Sequence, residues 1–156
     1  MQSNLVFNIS TYSDDNSTFP KPEAGNYDYW VPLLEYFLAK TDIIEIHCWN
    51  EEIETIEEIT SLCIENMDVV KEDNLTIFKG NKTSRLSEYI LHSKLNKNSE
   101  LKWFTVNLEV NQMSVFHSGH WGTEFYVPNV SNNDIAFIKS VTPPETDYHQ
   151  FLYISS

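Results

Sequence analysis

The sequence predicts an α+β fold: a mixed or mainly antiparallel sheet, three to four helices, and a β-meander in the C-terminal half. Three observations carry this. Helical and strand periodicities alternate in the first half of the chain, whereas short apolar runs between turn signals crowd the second half. The chain has 156 residues, 41% hydrophobic and 21% charged, which is ordinary globular composition. Such a chain can enclose one core, so a single domain over residues 1–156 is expected. Neither an internal repeat nor a long low-complexity linker interrupts it.

Taken in order, Leu5–Ile9 alternates as a first strand. Residues 13–26 concentrate turn formers and two prolines, the composition of a surface loop. From Asp28 to Lys40, Trp30, Leu33, Leu34, Phe37 and Leu38 recur at helical spacing, with Pro32 tolerable only in the first turn. Ile43–Cys48 has high β-propensity. Glu51–Asn66 reads as a helix, with Asn50 at its N-cap and three glutamates in its first turn. Its pattern puts Ile53, Ile56, Thr60, Cys63, Ile64 and Met67 on one face. Glu51, Glu54, Glu58 and Glu65 fall opposite, with Leu62 beside them.

Val69-Val70 and Leu75–Phe78 flank a turn at Glu72–Asn74. Ser84 is placed to cap a helix through Leu95, buried by Leu86, Tyr89, Ile90 and Leu91. Leu101–Val110, Met113–His117 and Glu124–Val127 form the meander, reversing at Asn111-Gln112 and at Ser118–Gly122. Ser131 and Asp134 have capping-box spacing for a short helix through Ser140, stopped by Pro143-Pro144. Phe151–Ile154 closes as a final strand.

Charge is the least ordinary feature. The net charge is −13, from 10 Lys and Arg against 23 Asp and Glu. Residues 1–70 hold fourteen acids and two bases, residues 71–156 nine acids and eight bases. This acidity argues against direct contact with nucleic acid, which needs a cationic footprint. Codon bias does not account for it. Fifteen Asn and thirteen Ile beside three Ala and one Arg suggest a low-GC bacterial genome, yet the same bias should have raised lysine. A one-sided negative field steers a basic partner, while aromatic and apolar anchors supply most of the binding energy. Candidate partner-binding residues are therefore Trp49, Glu51, Glu54, Glu58, Leu62 and Glu65.

The N-terminus has no basic region followed by an apolar run, and no segment approaches the ~18 apolar residues of a membrane span. Cys48 and Cys63 have no CxxC spacing and read as reduced, buried thiols. A cytoplasmic location without membrane association is expected.

His117, His120 and Glu124 form the one His/carboxylate cluster, and a weak one. Two histidines three apart can reach one metal, but the HxxH pairs that bind zinc sit on helices or have Cys partners. The plainer reading is a hairpin turn permitted by Gly119 and Gly122. Cys48 ends a strand before a helix, a position that can activate a thiol, but alternation places it with Ile44 and Ile46 in the core and turns His47 the other way. No phosphate-binding loop is present. The adjacent aromatics Trp103-Phe104 and Phe125-Tyr126 cannot both be buried by a one-faced sheet, so either helices cover both faces, the favoured expectation, or one aromatic row is exposed for binding.

The sequence thus points first to a small cytoplasmic binding or inhibitor protein of immunity or antidote type, without a cofactor, docking a basic protein through an acidic helix face. The alternatives are a metal- or His-dependent enzyme at His117, His120 and Glu124, and a small-molecule-binding regulatory domain.

Overall fold

Eight strands hydrogen-bond into one sheet in which every neighbouring pair is antiparallel. The structure, a computed structural model, describes residues 2–13, 19–62 and 67–153. The elements are β1 (Gln2–Asn8), β2 (Thr11–Tyr12), β3 (Lys21–Pro22), α1 (Trp30–Leu38), β4 (Ile43–Trp49), α2 (Ile53–Leu62), β5 (Met67–Glu72), β6 (Leu75–Asn81), α3 (Ser84–His92), β7 (Thr105–Val110), β8 (Met113–Gly119), β9 (Glu124–Val127), α4 (Asn132–Val141) and β10 (Asp147–Tyr153). The large sheet has the order β10-β1-β9-β8-β7-β4-β6-β5, and β2 pairs with β3 separately. The expected α+β class holds, and β7-β8-β9 is the expected meander.

All four helices of the described residues lie on one side. Along β4, Ile44, Ile46 and Cys48 are buried while Ile43, Glu45, His47 and Trp49 remain half-exposed. The buried face continues through Phe78, Val106, Leu108, Phe116, Phe125, Val127, Leu5 and Phe7. Phe37 of α1 stacks on Phe116 at 4.8 Å, and Trp30 donates its indole N–H to the Ile90 carbonyl of α3 at 3.0 Å. Tyr36 of α1 stacks on Phe137 of α4 at 4.3 Å. Helices on both faces were expected; no described helix packs on the second face. The adjacent aromatics divide accordingly: Trp103 and Phe125 are buried, Phe104 and Tyr126 half-exposed.

Several local expectations shift for identifiable reasons. Asn50 does not cap α2, because its side chain ties down the β5–β6 turn, accepting from Thr76 Oγ1 at 2.7 Å and donating to the Asp73 carbonyl at 3.2 Å. The face that α2 buries is centred on Thr55 and Ile59, with Leu62 half-buried against the core, so Ile53 is 60% exposed. Of the residues predicted for the buried face, Cys63 and Ile64 lie outside the described residues, as does the predicted helix end at Asn66. The α3 cap is Thr83, whose hydroxyl accepts from Leu86 N at 3.1 Å, and the helix ends at His92. Leu101 forms an isolated bridge with Leu95 rather than starting β7. The capping box of α4 forms as read, with Ser131 and Asp134 exchanging both hydrogen bonds. Among the described residues, no helix is long and apolar enough to cross a membrane.

The turn between β8 and β9 concentrates backbone strain. His120 (φ 47°), Trp121 (φ 54°) and Gly122 (φ 76°) are all left-handed, whereas Gly119 is not among the positive-φ residues. The hairpin therefore rests on two non-glycine residues, each costing ~1 kcal/mol or more in this region. Trp121 N–H to the Phe104 carbonyl (3.1 Å), Thr123 N–H to the Gly119 carbonyl (3.2 Å) and Tyr29 Oη to the Gly122 carbonyl (2.5 Å) hold it. At Gly122 an added Cβ would lie 2.8 Å from Leu101 Cδ2 and 3.3 Å from the Trp30 ring. Gly122→Ala is expected to cost ~1–3 kcal/mol in urea unfolding. Gly25→Ala is the comparator: its φ is 80° but its surroundings are open, so it isolates the backbone part and should cost less.

Candidate functional site

The second face of the sheet is the surface that the fold leaves open. Registers place one residue per strand in a row across it: Asp68, Lys79, Glu45, Asn107, His117, Tyr126, Val6 and His149. Period-two alternation determines this row, since each residue is flanked in its strand by core-facing neighbours. Glu45 accepts from His47 at 2.9 Å, and Lys79 reaches Glu109 at 3.4 Å and Glu45 at 3.9 Å. The His47 contact, aided by Lys79, holds the Glu45 carboxyl below the usual range against the effect of burial. Burial, with His47 nearby, pushes the His117 imidazole down, so this ring stays neutral at pH 7.

At the β8–β9 end the open face becomes a cleft of about 290 Å³. Val6, Phe104, Phe125 and Tyr126 supply its apolar wall; Asn8, Thr105, His117, His120 and Glu124 supply polar groups. The strained turn aims His120 at Glu124, Nδ1 to Oε2 at 2.7 Å, with its ring edge-on to Phe104. His117, His120 and Glu124 thus meet on one cleft. Among the described residues, however, no three His, Cys, Asp or Glu side chains are placed to hold a metal ion.

Beside the cleft stands an aromatic cluster. Phe104 packs edge-on against Trp49 at 5.1 Å and Trp121 at 4.9 Å, and Trp121 meets Phe19 at 4.9 Å. Glu52 fastens this cluster to the start of α2, accepting from Trp49 N–H at 2.8 Å and from the Trp121 indole at 3.3 Å. Burial raises the Glu52 carboxyl despite these two hydrogen bonds. The buried Nε1 of Trp49 has no hydrogen-bond partner among the described residues.

The sequence-nominated residues belong to this surface only in part. Trp49 belongs to the cluster, with Glu51 exposed in the turn before α2 and Glu54 exposed on its first turn. Glu54 has a solvent-exposed pairing with Lys97 at 3.5 Å. Glu58, still 44% exposed, is engaged by neighbouring segments: it accepts from Tyr89 Oη at 2.8 Å and pairs with Lys102 at 2.7 Å. Leu62 is half-buried against the core, and Glu65 lies outside the described residues. Cys48 is buried, and burial, reinforced by Glu52 and Glu58, pushes its thiol up to about 12, which leaves no thiolate at neutral pH.

Glu52, Phe104 and Trp121 escaped notice as a unit because they come from three separate segments. The helical pattern places Ile53 on the apolar face with Ile56, yet it stands exposed beside Glu51, Glu54 and Glu57 in the sequence. Comparison with known proteins gives no matching family model, no curated protein similar in sequence at a significant level, and no solved structure matching the fold at a significant level.

Proposed function

We propose that this chain is a binding protein of immunity or antidote type that docks a basic protein. Its docking surface is the aromatic end of the open sheet face together with the acidic start of α2. The observation that carries this reading is the junction at Glu52, which joins Trp49, Phe104 and Trp121 to the exposed Glu51, Ile53 and Glu54 in one continuous surface. Apolar and aromatic anchors ringed by charge are the arrangement in which binding energy and steering are divided between the two kinds of group. The open face adds to the negative field, because Asp68, Glu72, Glu45, Glu109, Glu124 and Asp147 occupy it against one lysine, Lys79. In this role the chain needs no cofactor and works in the cytoplasm. A protein partner suits this surface where nucleic acid does not, since phosphates would meet carboxylates.

Affinity capture from lysate of the source cells tests the reading. The expected catch is a protein of basic pI that is released by salt. Replacing Glu51, Glu54 and Glu57 by Lys is expected to weaken capture on the order of 10- to 1,000-fold, the range of electrostatic steering. Reversing Asp68, Glu72 and Asp73 at the β5–β6 hairpin changes the net charge equally and is expected to do much less. An acidic or neutral catch sinks the reading, as does equal loss in both triple variants or in neither.

A further inference from the structure

We propose that the cleft at the β8–β9 turn receives an arginine side chain presented by the basic partner, its guanidinium lying between Tyr126 and Phe104 and bonded to Glu124. The proposal rests on the docking reading for its partner, but on the cleft's own chemistry for the arginine. At about 290 Å³ the space is at the lower limit of the ~300–1,000 Å³ typical of small-molecule pockets, and is suited to one long side chain.

Its lining holds one carboxylate, two histidines and aromatic rings, with no Lys or Arg to compete for the carboxylate. Towards the middle of this face Glu45 is paired with His47 and Lys79, and Glu109 with Lys79. Among the described side chains Glu124 hydrogen-bonds only the His120 ring, Oε2 to Nδ1 at 2.7 Å, which leaves its Oε1 open to a further donor. His117, held neutral by burial, adds a hydrogen-bonding ring without adding repulsion.

Arginine suits this combination better than lysine. Its planar fork bonds a carboxylate while its face stacks on an aromatic ring, and it is the more weakly hydrated cation. The strained turn gives the cleft its geometry, because left-handed His120 and Trp121 put the imidazole over the cleft and the indole onto the neighbouring cluster. Such strain persists where surrounding contacts over-determine it, and it clusters at ligand-binding positions.

The test is an NMR titration of the whole isotope-labelled chain with acetyl-Gly-Arg-Gly-amide and, separately, acetyl-Gly-Lys-Gly-amide. Saturable shifts centred on His117, Gly119, His120, Glu124 and Tyr126 are expected with the arginine peptide, and clearly weaker binding with the lysine peptide. Glu124 is 56% exposed, so Glu124→Gln should fold normally and weaken the arginine peptide about tenfold, as loss of a charge-assisted hydrogen bond implies. Tyr126→Leu should weaken it independently by removing the stacking face. Equal binding of both peptides, shifts confined to α2, or insensitivity to Glu124→Gln would overturn the proposal. If the arginine site fails while Glu51/Glu54/Glu57 reversal still abolishes capture, the docking reading stands alone. If capture fails while the peptide binds as expected, the cleft stands and its partner assignment falls.

Discussion

Trp30→Ala is expected to destabilise the chain by ~3–5 kcal/mol, the cost of emptying a large aromatic site in a core that relaxes only partly. Trp30 is fully buried at the start of α1, with its ring 5.9 Å from Trp103 and 6.5 Å from Phe125. It joins three elements at once, because the same side chain packs on β9 and donates to the Ile90 carbonyl of α3. Removing it leaves a cavity and a buried carbonyl without its donor. Trp30→Phe separates the two contributions: it retains most of the apolar contact but loses the hydrogen bond, for an expected ~1–3 kcal/mol. Urea unfolding followed by far-UV circular dichroism measures both. A loss below ~1 kcal/mol for Trp30→Ala would mean that α1 is not seated on the sheet as described.

The second large effect is expected at Asp134, where α1 and its following loop meet α4 through one carboxylate. Asp134 completes the capping box of α4 with Ser131 and accepts from Tyr36 Oη at 2.5 Å and from Lys40 Nζ at 3.2 Å. Burial alone would raise its pKa, but the hydrogen bonds from the Ser131 backbone, Tyr36, Lys40 and the Ser131 hydroxyl outweigh this and hold the carboxyl below its ordinary value. Tyr36 responds in the opposite direction, pushed up to about 12 chiefly by its hydrogen bond to Asp134. Asp134→Ala is expected to cost ~2–4 kcal/mol at pH 7, since a lost cap and lost charge-assisted bonds act together.

The sign of the pH dependence follows from the depressed pKa. Stability from Asp134 is fully present above the unfolded-state value of about 4 and is lost as pH falls through the lower folded-state value. The gap between wild type and Asp134→Ala should therefore narrow on acidification below about pH 4. A gap that stays constant down to pH 2 would assign the role to side-chain shape rather than charge.

Much of the fold was legible because local signals agreed with tertiary demand. The buried residues of α1 (Trp30, Leu33, Leu34, Phe37 and Leu38) and of α3 (Leu86, Tyr89, Ile90 and Leu91) follow directly from apolar spacing. So do the turn at Asn111-Gln112 and the box at Ser131 and Asp134. Alternation in β4 also separated Cys48 from His47 correctly. The rotation of α2 was not legible. Ile53, Ile56 and Ile59 leave more than one face open, and the face observed buries Thr55 and Ile59 while Glu58 bonds to Tyr89 and Lys102 from another part of the chain.

The candidate site was legible only in fragments. Trp49, Glu51, Glu54, His117, His120 and Glu124 stood out as residues, but they formed two competing hypotheses rather than one surface. What unites them is long-range: Trp121 reaches Glu52 across sixty-nine positions, and Phe104 lies between Trp49 and Trp121. One-sided helix coverage, which exposes the whole row, is a property of chain topology and has no local signature.

Hydrogen–deuterium exchange of the chain, alone and saturated with a basic protein recovered by the capture experiment, tests the proposed docking surface most directly. Protection is expected at residues 49–54 and 118–124 together, because Glu52 and Trp121 bind these segments into one surface. Protection confined to the β5 edge or to α4, with both of those segments unchanged, would contradict it.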